Sequence, residues 1–406
     1  MEWVILVNFM GKEISKNNIV YIHSNGFPNG MASACRVLSL SRGFVAQGYE
    51  VTVLCIRPTE KYPNITNTKI RGVIKDVKYY YTSNTVIWPN NKFLKAYLYI
   101  KGILNGISVA KSMKPKAIFV QSDSYFVILL LRLLFNKDIL YKTLDEYPPP
   151  VLHNKTNNIY GRFYMKYYYK LFGCVICITE SLSAFLKNNC NVKKTLIVNM
   201  TVEMDRFNVK NNKIQKCICY AGNMGMNNKD GVPDLILAFA KISDIHKDWS
   251  LILIGDDTNI EAENRTKIKN ILDNFNIAAR VIFLGKVAYS DIPYYLSQAS
   301  ILALTRPANI QSEVSFPTKL GEYLAVGKPV LVTNVGEIGR FVIDGYNGYL
   351  AEPSNVDDIA NKLDYIISHP EEWEYVSNNA KRLVEEQFNY MNESAKIIDY
   401  IESNKQ

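Results

Sequence analysis

Short apolar runs alternate with amphipathic stretches along most of this chain. Ile19-Val20-Tyr21-Ile22-His23 reads as a buried strand, and a polar, glycine-containing loop follows it. Val37, Leu40 and Phe44 then recur at three- and four-residue spacing, which predicts a helix that Gly48 stops. A second apolar run at 51–55 completes a strand–helix–strand unit of a parallel sheet. Further strands are expected at 117–120, 139–142, 175–178 and 196–198. A second series falls at 217–220, 251–254, 281–284, 301–304 and 330–333, with helices at 233–242, 260–275 and 292–297. Two such series predict an α/β chain of two Rossmann-like, doubly wound domains. The expected boundaries are 1–205 and 206–385, with a polar, Asn- and Lys-rich hinge at 201–216 and a terminal helix over 386–406.

Composition agrees with that plan. A length of 406 residues with 48% hydrophobic content suits two or three domains with sizeable cores. Seven scattered cysteines, an odd number, point to a reducing compartment, and Cys174 and Cys177 fall inside an apolar run expected to be a strand. Residues 125–135 are apolar, but Arg132 interrupts them and they are too short to span a bilayer, so a helix packed on a sheet is expected. Residues 1–10 lack the basic start of a secretory signal, and Met10 offers an alternative beginning. Charge changes the picture more. Residues 1–200 hold 26 Lys+Arg against 10 Asp+Glu, and residues 201–406 hold 21 against 28, leaving +16 and −7. The first half is therefore expected to face something anionic.

The richest chemistry lies between Glu313 and Thr333. Ser315 as a cap, Pro317 in a first turn, Gly327 as a left-handed stop and the apolar run 330–332 predict loop, helix and strand. Thr318, Lys319, Glu322 and Tyr323 recur at helical spacing opposite Leu320 and Leu324. A cation, a carboxylate and a helix N-terminus at a strand end suit a phosphate with hydroxyl groups beside it.

Phe316-Pro317-Thr318-Lys319-Leu320-Gly321-Glu322-Tyr323-Leu324, followed by Gly327-Lys328-Pro329-Val330, resembles the donor-binding segment of retaining glycosyltransferases of family 4 on the GT-B fold. The resemblance runs from about Ile19 to the end of the chain. It implies two Rossmann-like domains facing a central cleft, the first binding the acceptor and the second the nucleotide-sugar. The terminal helix would return to the first domain. Glu322 fits the second glutamate of the family's Glu, seven residues, Glu pattern, and is expected on the ribose hydroxyls. Val314 stands where the first would be, and the nearest carboxylate, Glu313, is the candidate for the sugar. In the loop after the first strand Gly30 matches a donor-loop glycine. In the loop opening the second domain Lys229 matches a diphosphate-clamping lysine, and Asn223 occupies the position of its arginine partner. Arg306 or Lys319 is expected to supply the second cation, with Thr318 beside them. Relatives carry a histidine at a first-domain strand end. Here Asp123 or Ser122 stands at that place, and His23, at another strand end, is either catalytic or packed. Asp145 and Glu146 close a further loop where an acceptor could sit, and the backbone of Leu284-Gly285-Lys286-Val287 would read the base.

The reaction so implied is transfer of a sugar from a nucleotide-sugar donor to a hydroxyl of a lipid-linked or surface polysaccharide glycan, with retention and without a cofactor or metal. The aspartates Asp256 and Asp257 are expected to cap a helix rather than bind an ion. The stretch from Tyr160 to Lys170 is basic and aromatic; it either docks on an anionic membrane or packs one aromatic face on the sheet. That fits a cytoplasmic enzyme, peripheral at the inner membrane face. Two alternatives stay open: another GT-B reaction such as nucleotide-sugar epimerisation, and a non-catalytic nucleotide-sugar binder. Nothing in the chain resembles a nucleic-acid-binding module, so no nucleic acid partner is expected.

Overall fold

Apolar runs with alternate residues turned to opposite faces can be buried only inside a sheet covered on both sides. The chain builds two such sheets. A computed structural model describes residues 17–29, 32–63, 65–209, 214–225, 228–258 and 260–404. It divides into two units, Met1–Asn199 with Tyr390–Gln406, and Met200–Asn389.

The first unit contains β1 (Asn18–His23), β2 (Glu50–Cys55), β3 (Arg71–Ile74), β4 (Val77–Tyr81), β5 (Ala117–Gln121), β6 (Leu140–Leu144), β7 (Cys174–Cys177) and β8 (Thr195–Ile197). Their order in the sheet is β3-β4-β2-β1-β5-β6-β7-β8, parallel throughout except for β3 with β4. Its helices are α1 (Ala32–Ala46), α2 (Lys92–Met113), α3 (Tyr125–Leu134), α4 (Pro149–Leu152), α5 (Ile159–Tyr167) and α6 (Glu180–Cys190). Tyr125–Leu134 form a helix with Val127, Ile128 and Leu131 buried, and Cys174 and Cys177 lie in a strand. The sequence pattern missed β3 and β4, whose turn at Lys75-Asp76 takes positive φ at both residues without the glycine that signals such turns. It also missed α2, because that helix carries apolar residues on more than one face and shows no clean period.

One face of the sheet is an aromatic layer. Phe119 stacks on Tyr21, Phe44 and Tyr141 at 4.8, 5.5 and 5.4 Å between ring centroids. The last helix, Tyr390–Ser403, packs beside α1 over this layer. The two helices touch at Gly43, where a Cβ would fall 2.0 Å from Ser394 Oγ. Buried Glu393 accepts a hydrogen bond from the Asn199 backbone at 2.7 Å, fastening the helix to the end of the unit. Arg36 of α1, also buried, reaches Asp145 at 2.9 Å and donates to the carbonyls of Val198 (2.7 Å) and Asn199 (2.9 Å).

The second unit holds β9 (Gln215–Ala221), β10 (Ser250–Ile254), β11 (Val281–Gly285), β12 (Ala299–Leu304), β13 (Val330–Thr333) and β14 (Tyr349–Ala351), in the order β11-β10-β9-β12-β13-β14 and all parallel. Its helices are α7 (Val232–Ile242), α8 (Ala262–Asn274), α9 (Ile292–Gln298), α10 (Ile310–Val314), α11 (Thr318–Val326), α12 (Ile338–Phe341), α13 (Val356–Ser368) and α14 (Trp373–Gln387). Two local expectations are corrected. Asp256 does not cap α8; it accepts from Thr258 N at 3.0 Å in a tight turn of its own. Ser315 does not cap α11, whose N-cap is Pro317; its hydroxyl instead donates to the Gln311 carbonyl. Among the described residues no helix is long and apolar enough to cross a membrane.

His23 ends β1 with no exposed surface, edge-on to Phe27. Burial holds its pKa down at about 4, with the charges of Arg57 and Lys142 adding to the effect. The unfolded chain takes up this proton near pH 6.5, the folded one only near pH 4. Between those values the unfolded state binds more protons, so stability falls as pH falls, by up to about 3 kcal/mol from this residue. Urea denaturation at the two pH values should show that loss in the wild type and a smaller one in His23→Gln.

Candidate functional site

In an open parallel sheet, loops leave opposite sides of adjacent strands where the order reverses, and a crevice forms there at the carboxyl ends. In the second unit that place is between β9 and β12. Gly222 follows β9 and donates to the Ile254 carbonyl at 2.8 Å. The loop then turns into α7 at Gly231, whose φ is +67° and where a Cβ would fall 1.8 Å from the Thr305 carbonyl oxygen. Thr305, just past β12, closes the contact by donating to the Gly231 carbonyl at 2.9 Å.

That turn delivers Asp230 into the crevice, 5% exposed. Tyr220, at the end of β9, donates to it at 2.8 Å. Lys319, in the first turn of α11, forms an ion pair with it. Arg306, 1% exposed, stands on its other side with Nε at 3.8 Å and also donates to Ser315 Oγ at 3.2 Å. Burial opposes the charge of Asp230. Lys319, Tyr220 and Arg306 more than offset it, and the carboxyl lies below the ordinary aspartate range. Gly222 leaves the room required: a Cβ there would lie 2.5 Å from Lys319 Nζ and 2.3 Å from Tyr220 Oη. Tyr323 pins α11 in place, its hydroxyl accepting from Ala221 N at 2.7 Å and donating to the Ala221 carbonyl at 3.1 Å.

One turn further along α11, Glu322 shares the face of Lys319. It pairs with Arg206 at 3.2 Å. The Arg206 guanidinium lies 3.9 Å from the Tyr289 ring centroid and donates to the Tyr289 carbonyl at 3.3 Å. Burial raises the pKa of the Glu322 carboxyl, and Arg206 opposes that rise. So one helix face carries two charged clusters, a cationic one at its N-terminus and a carboxylate–guanidinium–aromatic one beyond it.

The residues singled out in the sequence are divided by this geometry. Arg306, Lys319, Thr318 and Glu322 sit together around α11, and Lys229 is next to Asp230 in the chain. Asn223 lies in the same loop, where its side-chain oxygen accepts from Gly225 N at 3.0 Å and so shapes the turn. Glu313 is exposed on α10, a short helix capped by Asn309 and backed by Gly336. Asp123 and His23 belong to the first unit. Asp123 there pairs with the buried Lys142 at 2.8 Å, as Asp145 does with Arg36. Gly30 lies outside the described residues. Sequence reasoning missed Asp230, Tyr220, Arg206 and Tyr289. Only Asp230 carried a local signal, as the carboxylate between Lys229 and the helix-opening Gly231.

Residues 202–383 match the family model described as Glycosyl transferases group 1. Among solved structures, sucrose-phosphate synthase from Thermosynechococcus elongatus superposes with a TM-score of 0.73 at 18% identity, over 96% of this chain and 99% of that one. Anabaena HepE in complex with UDP-glucose gives 0.66 at 14% identity, over 95% and 99%. The fold is that of the GT-B glycosyltransferases. Among curated proteins, an uncharacterized glycosyltransferase of Methanocaldococcus jannaschii is 28% identical over 235 residues, 55% of this chain and 58% of that protein. The chain spans about half the length of the curated relatives it matches. The GT-B unit covered by the family model is the one holding both charged clusters.

Asp230 joins β9, α7, β12 and α11 through one carboxylate. Removing one member of a buried ion pair leaves the other charge uncompensated, at a cost of about 3–5 kcal/mol. Asp230→Asn is expected to lower the thermal unfolding midpoint of the second unit clearly. Lys319→Met, which takes the nearest cation from the buried carboxylate and leaves Arg306 and Tyr220 on it, is expected to lower it as well.

Proposed function

We propose that this protein is a retaining glycosyltransferase of family 4. It moves a sugar from a nucleotide-sugar to a hydroxyl of a lipid-linked or surface polysaccharide glycan. The observation that carries the reading is the meeting of Arg306 and Lys319 at the crevice between β9 and β12, inside the region matching the group 1 family. A departing diphosphate needs positive charge fixed in place before it leaves, since a charge that must first reorganise stabilises the transition state less. Arg306 is held by packing and by Ser315, and Lys319 by Asp230 and by the Tyr220 ring, 5.6 Å from its ammonium. Lys229 adds a cation on the loop. The Glu322–Arg206–Tyr289 cluster suits the other end of the donor: a carboxylate for ribose hydroxyls and an aromatic ring beside the base. Complexes of HepE with UDP and with UDP-glucose make uridine diphosphate sugars the first donors to test. A donor phosphate oxygen then helps to deprotonate the acceptor hydroxyl, with Glu313 oriented toward the sugar. The seven free cysteines suit a cytoplasmic location.

The test is release of UDP from UDP-glucose and UDP-N-acetylglucosamine, with and without lipid-linked glycan. Lys319→Ala is expected to lower turnover about ten- to a hundredfold, the worth of a charge-assisted hydrogen bond. Glu322→Gln is expected to weaken donor binding while the protein stays folded, with a lowered melting temperature from loss of the Arg206 pair. Donor conversion to an isomeric nucleotide-sugar without acceptor would replace transfer by epimerisation. Among the described residues no three His, Cys, Asp or Glu side chains gather as a metal-ligand set. Turnover is expected to survive EDTA; loss restored by manganese would bring Asp256 and Asp257 into the site.

A further inference from the structure

A helix that covers a sheet normally turns one apolar stripe inward and a polar face to water. Three neighbouring helices of the first unit break that rule in the same way. On α2, Ile103, Ile107 and Ala110 are buried, yet Phe93, Tyr97, Ile100 and Leu104 form a second stripe at four-, three- and four-residue spacing that is exposed, Phe93 to 88%. On α3, Val127, Ile128 and Leu131 are buried, while Phe126, Leu129 and Leu133 face out, Leu133 to 79%. On α5, Gly161 and Tyr164 are buried, while Ile159, Tyr160, Phe163 and Tyr167 are exposed, Ile159 to 81%. The helices are contiguous. α2 packs on α3, and Tyr125 of α3 meets Phe163 of α5 at 5.3 Å between centroids. Scattered apolar residues on a surface are ordinary; exposed stripes on three adjoining helices make a patch that something covers.

Charge identifies the cover. α2, α3, α5 and the turn Tyr168–Leu171 contain no Asp or Glu, and they contain eight cations: Lys92, Lys95, Lys101, Lys111, Arg132, Arg162, Lys166 and Lys170. A second copy of this chain, related by a two-fold axis, would set these cations against their own kind. A nucleic acid would accept the cations but leave the apolar stripes in water. An anionic bilayer accepts both, with aromatic and aliphatic side chains at the acyl boundary and Lys and Arg on the head groups. Tyr167 shows that arrangement in one place, its ring lying 5.3 Å from Lys166 Nζ and 5.6 Å from Lys170 Nζ. Arg162 and Lys166 also line a groove of about 540 Å³ with Thr156, Asn189 and Asn191, room for a phosphate-bearing head group.

We propose that the face formed by α2, α3 and α5 docks on an anionic lipid bilayer. Docking of this kind would hold the chain where a lipid-linked acceptor lies, and in that purpose it rests on the transferase reading above. The test is co-sedimentation of the full chain with vesicles of phosphatidylcholine alone and of phosphatidylcholine mixed equally with phosphatidylglycerol, at low and high salt. Two variants accompany it: the outward apolar triple Phe93→Ser, Ile100→Ser, Leu133→Ser, and the charge reversal Arg162→Glu, Lys166→Glu, Lys170→Glu. The wild type is expected to bind the anionic vesicles at low salt and far less the neutral ones. The charge reversal is expected to lower partitioning roughly a hundredfold or more, and the apolar triple at least tenfold, both at wild-type melting temperature. No binding by the wild type, or wild-type binding by either variant, overturns the proposal. A wild-type dimer that the apolar triple splits overturns it too, since a second copy would then be the cover. UDP binding, measured in parallel, reads out Arg306, Lys319 and Glu322, none of which either variant changes. Its absence beside intact vesicle binding would refute the transferase reading and leave the docking face standing.

Discussion

A single buried carboxylate organises the second unit. Asp230 sits where two neighbouring strands send their loops in opposite directions, and four elements meet on it. Tyr220 comes from the end of one strand, Arg306 from beyond the other, Lys319 from the helix after it, and the turn at Gly231 carries Asp230 itself. A carboxylate this deeply buried stays ionised only if cations and donors surround it, so its charge dictates where Lys319 and Arg306 rest. The same charge therefore gathers cations at the carboxyl end of the sheet, where an anionic ligand of an open α/β fold is bound.

Close approach makes that gathering possible. Glycine at 222 leaves space for the lysine ammonium and the tyrosine hydroxyl, and glycine at 231 lets the turn lie against the Thr305 carbonyl. Tyr323 then fixes the helix to the strand through both backbone groups of Ala221. With the helix fixed, Glu322 follows one turn after Lys319 on the same face. The site is thus a consequence of helix placement more than of any one side chain.

The first unit is governed by a different constraint. Its sheet is closed on one side by an aromatic layer under α1 and the last helix. On the other side the covering helices keep apolar surface pointing outward. Burial of one stripe satisfies the sheet; the second stripe lies on helices that carry cations and no carboxylate. Contiguous exposed apolar surface of this kind marks an interaction face rather than a feature of the unit's own core.

What the sequence determined by itself was the alternation of strands and helices, and with it the α/β class and two doubly wound sheets. Period-two and period-3.6 patterns are local, and burial of a parallel strand on both faces leaves a continuous apolar run that needs no partner to be recognised. Helix α11 was legible for the same reason, because Lys319 and Glu322 are three residues apart on one helix. Elements such as β3, β4 and β14 were not: β3 is a half-exposed edge strand whose turn into β4 lacks a glycine, and β14 has only three residues. Tertiary structure alone decided which charges meet. Arg206 is 116 positions from Glu322, and Asp230 is 89 from Lys319, and no local rule couples them. It also decided that Asp256 folds a turn, that Asp145 is taken by Arg36, and that an ordinary-looking apolar helix such as α2 has two apolar faces with only one of them buried. The physical reason is the same in each case: hydrophobic period is written along the chain, whereas ion pairing and exposure depend on which elements the sheet places side by side.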